Sequence, residues 1–309
     1  MSEIILDILN HRDYNFLGYI NKGGFGCCYL VRSLKYNMNF VCKVVPDDDY
    51  DKSFLMSYKR EVEALTKFNH PNIVCVYDVF NSNNFLFIIL EYCNGGSLQD
   101  FIEKYPNGVN YEKCKQYANQ IVDALSYMHN LGYAHCEIKP SNILIDEFGR
   151  VKLADFGLSH IDDFKNKSTV GPCGGSLCFM SPEILLNKSN DPFKSDIWVL
   201  GVTIYYLASS KIPFKGKNLN AILREIEFGP QMINDIPEDL WTFIENCLKI
   251  EPTEIPSSQQ LKSTCLVKPN SQLSVTAGHF RQRHFSILSK QPVILVPFKI
   301  KRTSNSSVY

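Results

Sequence analysis

The sequence predicts an α+β protein of two parts, a small β-rich lobe with one helix and then a larger α-helical lobe. Three observations carry that reading. Residues 14 to 91 are dominated by short apolar or alternating runs parted by turn material. From residue 97 the apolar spacing changes to steps of three and four. Residues 196 to 209 are apolar all round, the mark of a helix inside a core rather than on a surface.

The strand-like runs are Phe16 to Ile20, Cys28 to Val31, Phe40 to Val45, Ile73 to Phe80 and Phe85 to Leu90. Lys22-Gly23-Gly24 and Asn81-Ser82-Asn83-Asn84 part members of this series, because Gly and Asn accept the backbone angles of tight turns. One helix interrupts it, with Leu55, Tyr58, Val62 and Leu65 on a single face. In the second part, Tyr117, Ile121, Leu125 and Met128 line a long helix that begins near Tyr111. There is no internal repeat and no long low-complexity stretch.

With 309 residues and 45% hydrophobic content, the chain can bury one large core or two modest ones. Its 32 basic and 32 acidic residues balance, but not evenly along the chain. Residues 255 to 309 hold eight Lys and Arg and no Asp or Glu, so this end carries +8 and the rest −8. Such an asymmetry marks a boundary. The expected organisation is an N-terminal extension over 1–13, a domain over 14–266 (lobes 14–93 and 94–266), and a flexible basic tail over 267–309. Eleven cysteines without regular pairing point to a reducing compartment, hence a cytoplasmic location. No Cys-x-x-Cys pair supports a zinc site. Glu3 and Asp7 interrupt the first apolar stretch, which excludes a signal peptide. The longest nearly apolar run, Ile197 to Ala208, is short of the ~18 residues a transmembrane segment needs. No nucleic-acid partner is expected.

Chemistry concentrates in four places. His135-Cys136-Glu137-Ile138-Lys139-Pro140-Ser141-Asn142 is followed, thirteen positions after Asn142, by Asp155-Phe156-Gly157. That spacing suits a loop, a two-strand hairpin and a second loop. An amide oxygen at Asn142 and a carboxylate at Asp155 are the ligand types that Mg²⁺ ions take. Ile20-Asn21-Lys22-Gly23-Gly24-Phe25-Gly26-Cys27-Cys28 lies between the first two strands, where glycines let backbone N–H groups approach phosphate oxygens. A plain hairpin turn would use the same residues. Lys43 falls on the third strand, and Glu61 follows it by eighteen residues on the helix. Leu90-Glu91-Tyr92-Cys93-Asn94-Gly95-Gly96-Ser97 closes the β-rich part.

Together these segments resemble the eukaryotic protein kinases of the Ser/Thr type, from about Tyr14 to Leu266. The resemblance implies the two-lobed protein kinase fold, ATP with Mg²⁺ (Mn²⁺ as an alternative ion), and a protein substrate with a Ser or Thr acceptor. It implies that Ile20, Asn21, Gly23, Gly24, Phe25 and Gly26 cover the nucleotide, that Lys43 reaches its phosphates, and that Glu61 holds Lys43. Leu90 would be the gatekeeper, Glu91 and Cys93 would offer backbone groups to adenine, and Ser97 would reach the ribose. Cys28 and Cys42 would lie above the adenine ring and Leu144 below. Two cysteines on neighbouring strands would make that ceiling sensitive to oxidation. Glu137 would orient the substrate hydroxyl, Lys139 would neutralise the transferred phosphate, and Asn142 and Asp155 would hold metal.

The departures fall on catalysis and its control. Asn21 stands for the first glycine of the family's loop and Cys28 for its valine. In the catalytic loop Cys136 replaces the arginine and Glu137 the aspartate. One extra methylene displaces the carboxylate oxygens by roughly 1 Å, and misplacement on that scale can cost ~10²-fold in rate. Without the arginine, phosphate on Ser168 or Thr169 lacks its usual partner. Glu183 normally pairs with a late arginine, but that position reads Ile255, so Glu183 finds another partner or sits in water. Asp196 matches the helix-start aspartate that braces the catalytic-loop backbone. Two functions stay open: a slow Ser/Thr kinase, or a pseudokinase acting as a nucleotide-binding switch or scaffold. In the tail, Arg281-Gln282-Arg283-His284-Phe285-Ser286 suits a phosphorylation site or a self-inhibiting arm. Six basic residues between 281 and 302 allow a weak contact with an anionic membrane surface, at ~1 kcal/mol each.

Overall fold

The computed structural model describes residues 3–22, 26–46, 62, 66–155 and 177–264. Five antiparallel strands form the first lobe: β1 (Tyr14–Lys22), β2 (Cys27–Ser33), β3 (Met38–Pro46), β4 (Val76–Ser82) and β5 (Phe85–Glu91). Their order across the sheet is β1-β2-β3-β5-β4. Side chains alternate between the two faces of a strand, so the register sorts them. Cys28 lies opposite Lys43, and Tyr29 opposite Cys42. One face therefore carries Cys28, Val41 and Lys43, and with them Val45, Leu86 and Ile88, which pack with Val62. The other carries Tyr29, Phe40, Cys42, Val44, Phe87 and Ile89.

That second face is covered by a helix that periodicity in so short a segment did not announce, α1 (Glu3–His11), which buries Ile5 and Leu9 against it. Residues 3–11, within the stretch expected as an extension, thus contribute to the core of the first lobe. The expected helix around Leu55 to Leu65 lies almost wholly outside the described residues; Val62, Thr66 and Lys67 are helical.

The strand expected from Ile73 begins at Val76 instead. Tertiary pairing explains the difference. Ile73 forms a parallel bridge with Leu153, Val74 N–H donates to the Leu153 carbonyl (2.9 Å), and the Asn72 side chain donates to the Val151 carbonyl (2.7 Å). These residues are claimed by the second lobe before the sheet can use them.

The second lobe is helical. After α2 (Leu98–Ile102), the long α3 runs from Tyr111 to Asn130, capped by the Asn110 side chain accepting from Lys113 N–H at 3.0 Å. Tyr117, Ile121, Leu125 and Met128 are all buried, as the spacing predicts. A hairpin of β6 (Ile143–Ile145) and β7 (Val151–Leu153) follows. Beyond α4 (Pro182–Leu185), α5 spans Pro192–Ser209. It starts four residues before the apolar run because Asp191 caps it and Pro192 takes the first helical position, where a missing N–H costs nothing. Helices α6 (Leu219–Phe228), α7 (Glu238–Cys247) and α8 (Ser258–Lys262) follow; α7 and α3 pack on α5, and α8 packs on α3. Ile197, Trp198, Leu200, Val202, Ile204 and Leu207 of α5 are fully buried, so this helix is the axis of the larger core. Among the described residues, no helix is long and apolar enough to cross a membrane.

Candidate active site

The catalytic-loop backbone is held from below by one carboxylate. Asp196 Oδ2 accepts from His135 N–H at 2.7 Å and Oδ1 from Cys136 N–H at 2.8 Å. His129 Nε2 meets the same Oδ2 at 3.0 Å. Asp196 stands in the second turn of α5 rather than at its start, and from there it makes the expected brace. Cys136 takes φ +66°, a left-handed angle that few non-glycine residues adopt.

Downstream the Asn142 amide donates to the Glu137 carbonyl at 3.0 Å. With its N–H₂ spent there, its oxygen is left as an acceptor. Ala154 N–H donates to the Asn142 carbonyl at 2.9 Å, which ties Asn142 to the residue before Asp155. Asp155 also sits at positive φ, +63°, and its Oδ1 lies 3.3 Å from Lys43 Nζ. The structure thus brings together Lys43 from the first lobe with Glu137, Asn142 and Asp155 from the second. A carboxylate and an amide oxygen held by one main-chain link are hard donors suited to Mg²⁺, which takes one or two protein ligands and fills its shell with phosphate oxygens and water. Among the described residues, no three His, Cys, Asp or Glu side chains are grouped to hold a metal ion.

The two oxygens of Glu137 differ: Oε1 lies 2.8 Å from Lys139 Nζ, while Oε2 is buried with no hydrogen-bond partner among the described residues. Its backbone N–H donates to His135 Nδ1 at 3.3 Å. Burial pushes the His135 imidazole below its ordinary value, against the pull of Asp196, Asp155 and Glu137.

Several expectations require correction. Cys42 does not share the face of Cys28 and Lys43, as a place above the adenine ring would require; it lies on the opposite sheet face, in the core under α1. Val41, two residues before Lys43, shares the face with Cys28, and simple strand alternation counted back from Lys43 could have found it. Cys28 and Cys42 therefore do not form a paired ceiling, and the oxidation idea falls with them. The Ser97 hydroxyl, expected at a ribose, is engaged locally. It caps α2: Ser97 Oγ accepts from Asp100 N–H (3.1 Å) and donates to Asp100 Oδ2 (2.6 Å), a capping box that holds the Asp100 carboxyl below its usual value. Glu183 does not sit in water. It is buried, with Oε1 accepting from Ser195 Oγ at 3.2 Å, while the Lys194 ammonium donates to the carbonyl of buried Ile255.

Other placements are plain. Ile20 and Asn21 lie on β1, with Asn21 opposite Cys28. A Cβ on Gly26 would come within 2.4 Å of the Val44 carbonyl, so this glycine is demanded by the approach of β3. Leu90 faces the Lys43 side of the sheet, Glu91 ends β5, Cys93 is buried, and Leu144 lies opposite Lys152 in the β6–β7 hairpin. Gly23, Gly24, Phe25 and Glu61 lie outside the described residues, as do Ser168, Thr169 and the tail.

With this geometry in hand, comparison with known proteins is direct. Residues 14–267 match the protein kinase domain family. The chain is 33% identical over 244 residues to NUAK family SNF1-like kinase 2 of Rattus norvegicus, covering 79% of this chain and 38% of that protein. It is 32% identical over 212 residues to CBL-interacting serine/threonine-protein kinase 12 of Arabidopsis thaliana, covering 68% and 43%. Over 266 residues it is 32% identical to mitogen-activated protein kinase kinase kinase 3 of the same plant, covering 84% and 43%. The chain therefore spans less than half the length of each of these three relatives. A family match over most of the chain, on a five-stranded antiparallel sheet joined to a helical lobe, means that the chain belongs to the protein kinase family.

Proposed function

We propose that the chain is an ATP- and Mg²⁺-dependent protein serine/threonine kinase, slowed by Glu137. Residues 14–93 and 94–266 are its lobes, 267–309 a basic tail, and the cytoplasm its location. The observation that carries this reading is the convergence of Lys43 Nζ on Asp155 Oδ1 at 3.3 Å, beside Asn142, whose carbonyl accepts from Ala154 N–H at 2.9 Å. A lysine facing a carboxylate with an amide oxygen beside it is the set that holds a metal-bound triphosphate.

Lys43 orients phosphates and is held by Asp155 at 3.3 Å. Glu61 is proposed to assist from the helix. Lys139 fixes the Glu137 side chain and screens charge at the transferred group. Asn142 and Asp155 are the proposed metal ligands; Mg²⁺ bound there neutralises charge developing on the phosphate oxygens. The base is proposed to lie between Ile20, Cys28 and Val41 above and Leu144 below, against backbone groups of Glu91 and Cys93, with Leu90 behind. Asn21, Gly23, Gly24, Phe25 and Gly26 are proposed to cover the phosphates. The substrate is a protein bearing Ser or Thr.

The catalytic loop has little room to compensate for the longer side chain. Its backbone is pinned at His135 and Cys136 by Asp196 and at Glu137 by Asn142. The added methylene is therefore expressed at the oxygens, where it costs ~10²-fold. That same substitution favours a second reading, a pseudokinase that binds nucleotide as a switch or scaffold. A γ-phosphate transfer assay on wild type, Glu137→Asp and Asp155→Ala separates the two. Slow wild type, Glu137→Asp faster by ~10²-fold and inactive Asp155→Ala support the enzyme. Wild type that binds ATP but never transfers phosphate, with Glu137→Asp equally silent, supports the scaffold.

A further inference from the structure

Lys152, in the middle of β7, is a lysine with 1% of its surface exposed. Lysines are almost never so deeply buried unless paired. Its Nζ lies 2.8 Å from Glu91 Oε1 and 2.9 Å from Glu91 Oε2. The second of these oxygens also accepts the N–H of Cys75 at 3.2 Å. A buried ion pair is a poor source of stability, since desolvation offsets most of the attraction; what it adds is a fixed geometry.

The position of the pair shows what that geometry governs. Glu91 is the last residue of β5, where the chain leaves the sheet and crosses to the second lobe. At the far end of the crossing, Gly95 N–H donates to the Ile145 carbonyl (2.9 Å) and Ile145 N–H to the Gly96 carbonyl (2.8 Å). A Cβ on Gly95 would fall 2.8 Å from the Ile145 carbonyl oxygen, so the approach leaves no room for a side chain. Ile145 and Lys152 belong to the same β6–β7 hairpin. One hairpin therefore grips the crossing at both ends, by charge at residue 91 and by main chain at residues 95 and 96.

We propose that Lys152 is a positioning residue for base recognition: through Glu91 it sets the angle at which residues 91 to 93 present their main-chain groups. This inference rests on the nucleotide-binding reading above. Its consequence is selectivity. Recognition by one carbonyl and one N–H tolerates errors of about 0.5 Å and 10–20°, so a released Glu91 degrades the fit to adenine first. Contacts to the phosphates, made from Lys43 and Asp155, do not pass through Lys152.

The test measures affinities of the full chain for Mg·ATP, Mg·GTP and Mg·tripolyphosphate. Lys152→Met is expected to weaken ATP about tenfold while GTP and tripolyphosphate stay within about twofold. Lys152→Arg should restore most of the preference. Lys262→Met, which removes a surface pair with Asp123, should change none of the three. Should Lys152→Met not fold, the double variant Glu91→Gln/Lys152→Met leaves no buried charge unpaired and must show the same loss of ATP-over-GTP preference. An unchanged ATP/GTP ratio in a folded variant, or equal weakening of all three ligands, overturns the proposal in favour of a purely structural pair. Wild type that binds tripolyphosphate and ATP equally well also overturns it, because there is then no base recognition to position. Wild type that binds none of the three overturns the nucleotide-binding reading itself and this inference with it.

Discussion

Cys136 and Asp155 both hold left-handed backbone angles, +66° and +63°, and both lie in the catalytic region. For a residue with a Cβ that conformation costs roughly 1–2 kcal/mol. At Cys136 the cost is offset by Asp196, whose charged oxygens accept two main-chain N–H groups at 2.7 and 2.8 Å; hydrogen bonds to charged groups contribute about 1.5–3 kcal/mol. Strain here follows from what surrounds the residue and not from the identity of Cys136. Glu183 is the second case in which neighbours decide. It is 5% exposed, and its Oε2 has no hydrogen-bond partner among the described residues. Glu183→Gln keeps the shape and the acceptor facing Ser195 while removing a buried charge. We expect unfolding stability to stay level or rise by about 1 kcal/mol, read from denaturant midpoints at constant m. A loss above about 2 kcal/mol would mean that the second oxygen already has a partner that the charge serves.

At the level of elements, legibility followed length and period. The α3 and α5 helices could be read directly, because eighteen or twenty residues with a sustained apolar pattern leave little choice. Helix α1 is nine residues long, too short to be stable alone, and forms because Ile5 and Leu9 find an apolar sheet face to cover. Leu9 is fully buried. Leu9→Ala should cost about 2–5 kcal/mol in equilibrium unfolding; a change below about 0.5 kcal/mol would show that α1 is not docked on the sheet. The late start of β4 and the capping role of Ser97 were illegible for a related reason. Each depends on which of two available partners a backbone or hydroxyl group meets, Leu153 against a sheet neighbour and Asp100 against a ligand. Cys42 is different, because register alone excludes it from the face of Lys43, and the alternation counted back from Lys43 is present in the sequence.

Across the molecule, His135 gives a pH signature. Its imidazole is fully buried, and burial holds it below the ordinary 6.5. The unfolded chain therefore takes up a proton at a pH where the native state does not, so stability is fully present above 6.5 and is lost as pH falls through that value. The slope attributable to this one group is at most about 1.4 kcal/mol per pH unit. His135→Phe should flatten the decline of unfolding free energy as pH falls below about 6.5 relative to wild type; parallel curves for the two proteins would exclude His135 as its source.

The motif order, the two-lobed division and the residue types needed for phosphoryl transfer were all set by the sequence, because spacing and hydrophobic period survive without coordinates. Tertiary structure alone decided where β4 begins, how the Glu137 carboxylate is held, and that Lys152 meets Glu91 across 61 positions of chain. Those outcomes depend on contacts between residues far apart in sequence, and whether a polar group is satisfied locally, by a distant partner or by a ligand is settled only when the chain has packed.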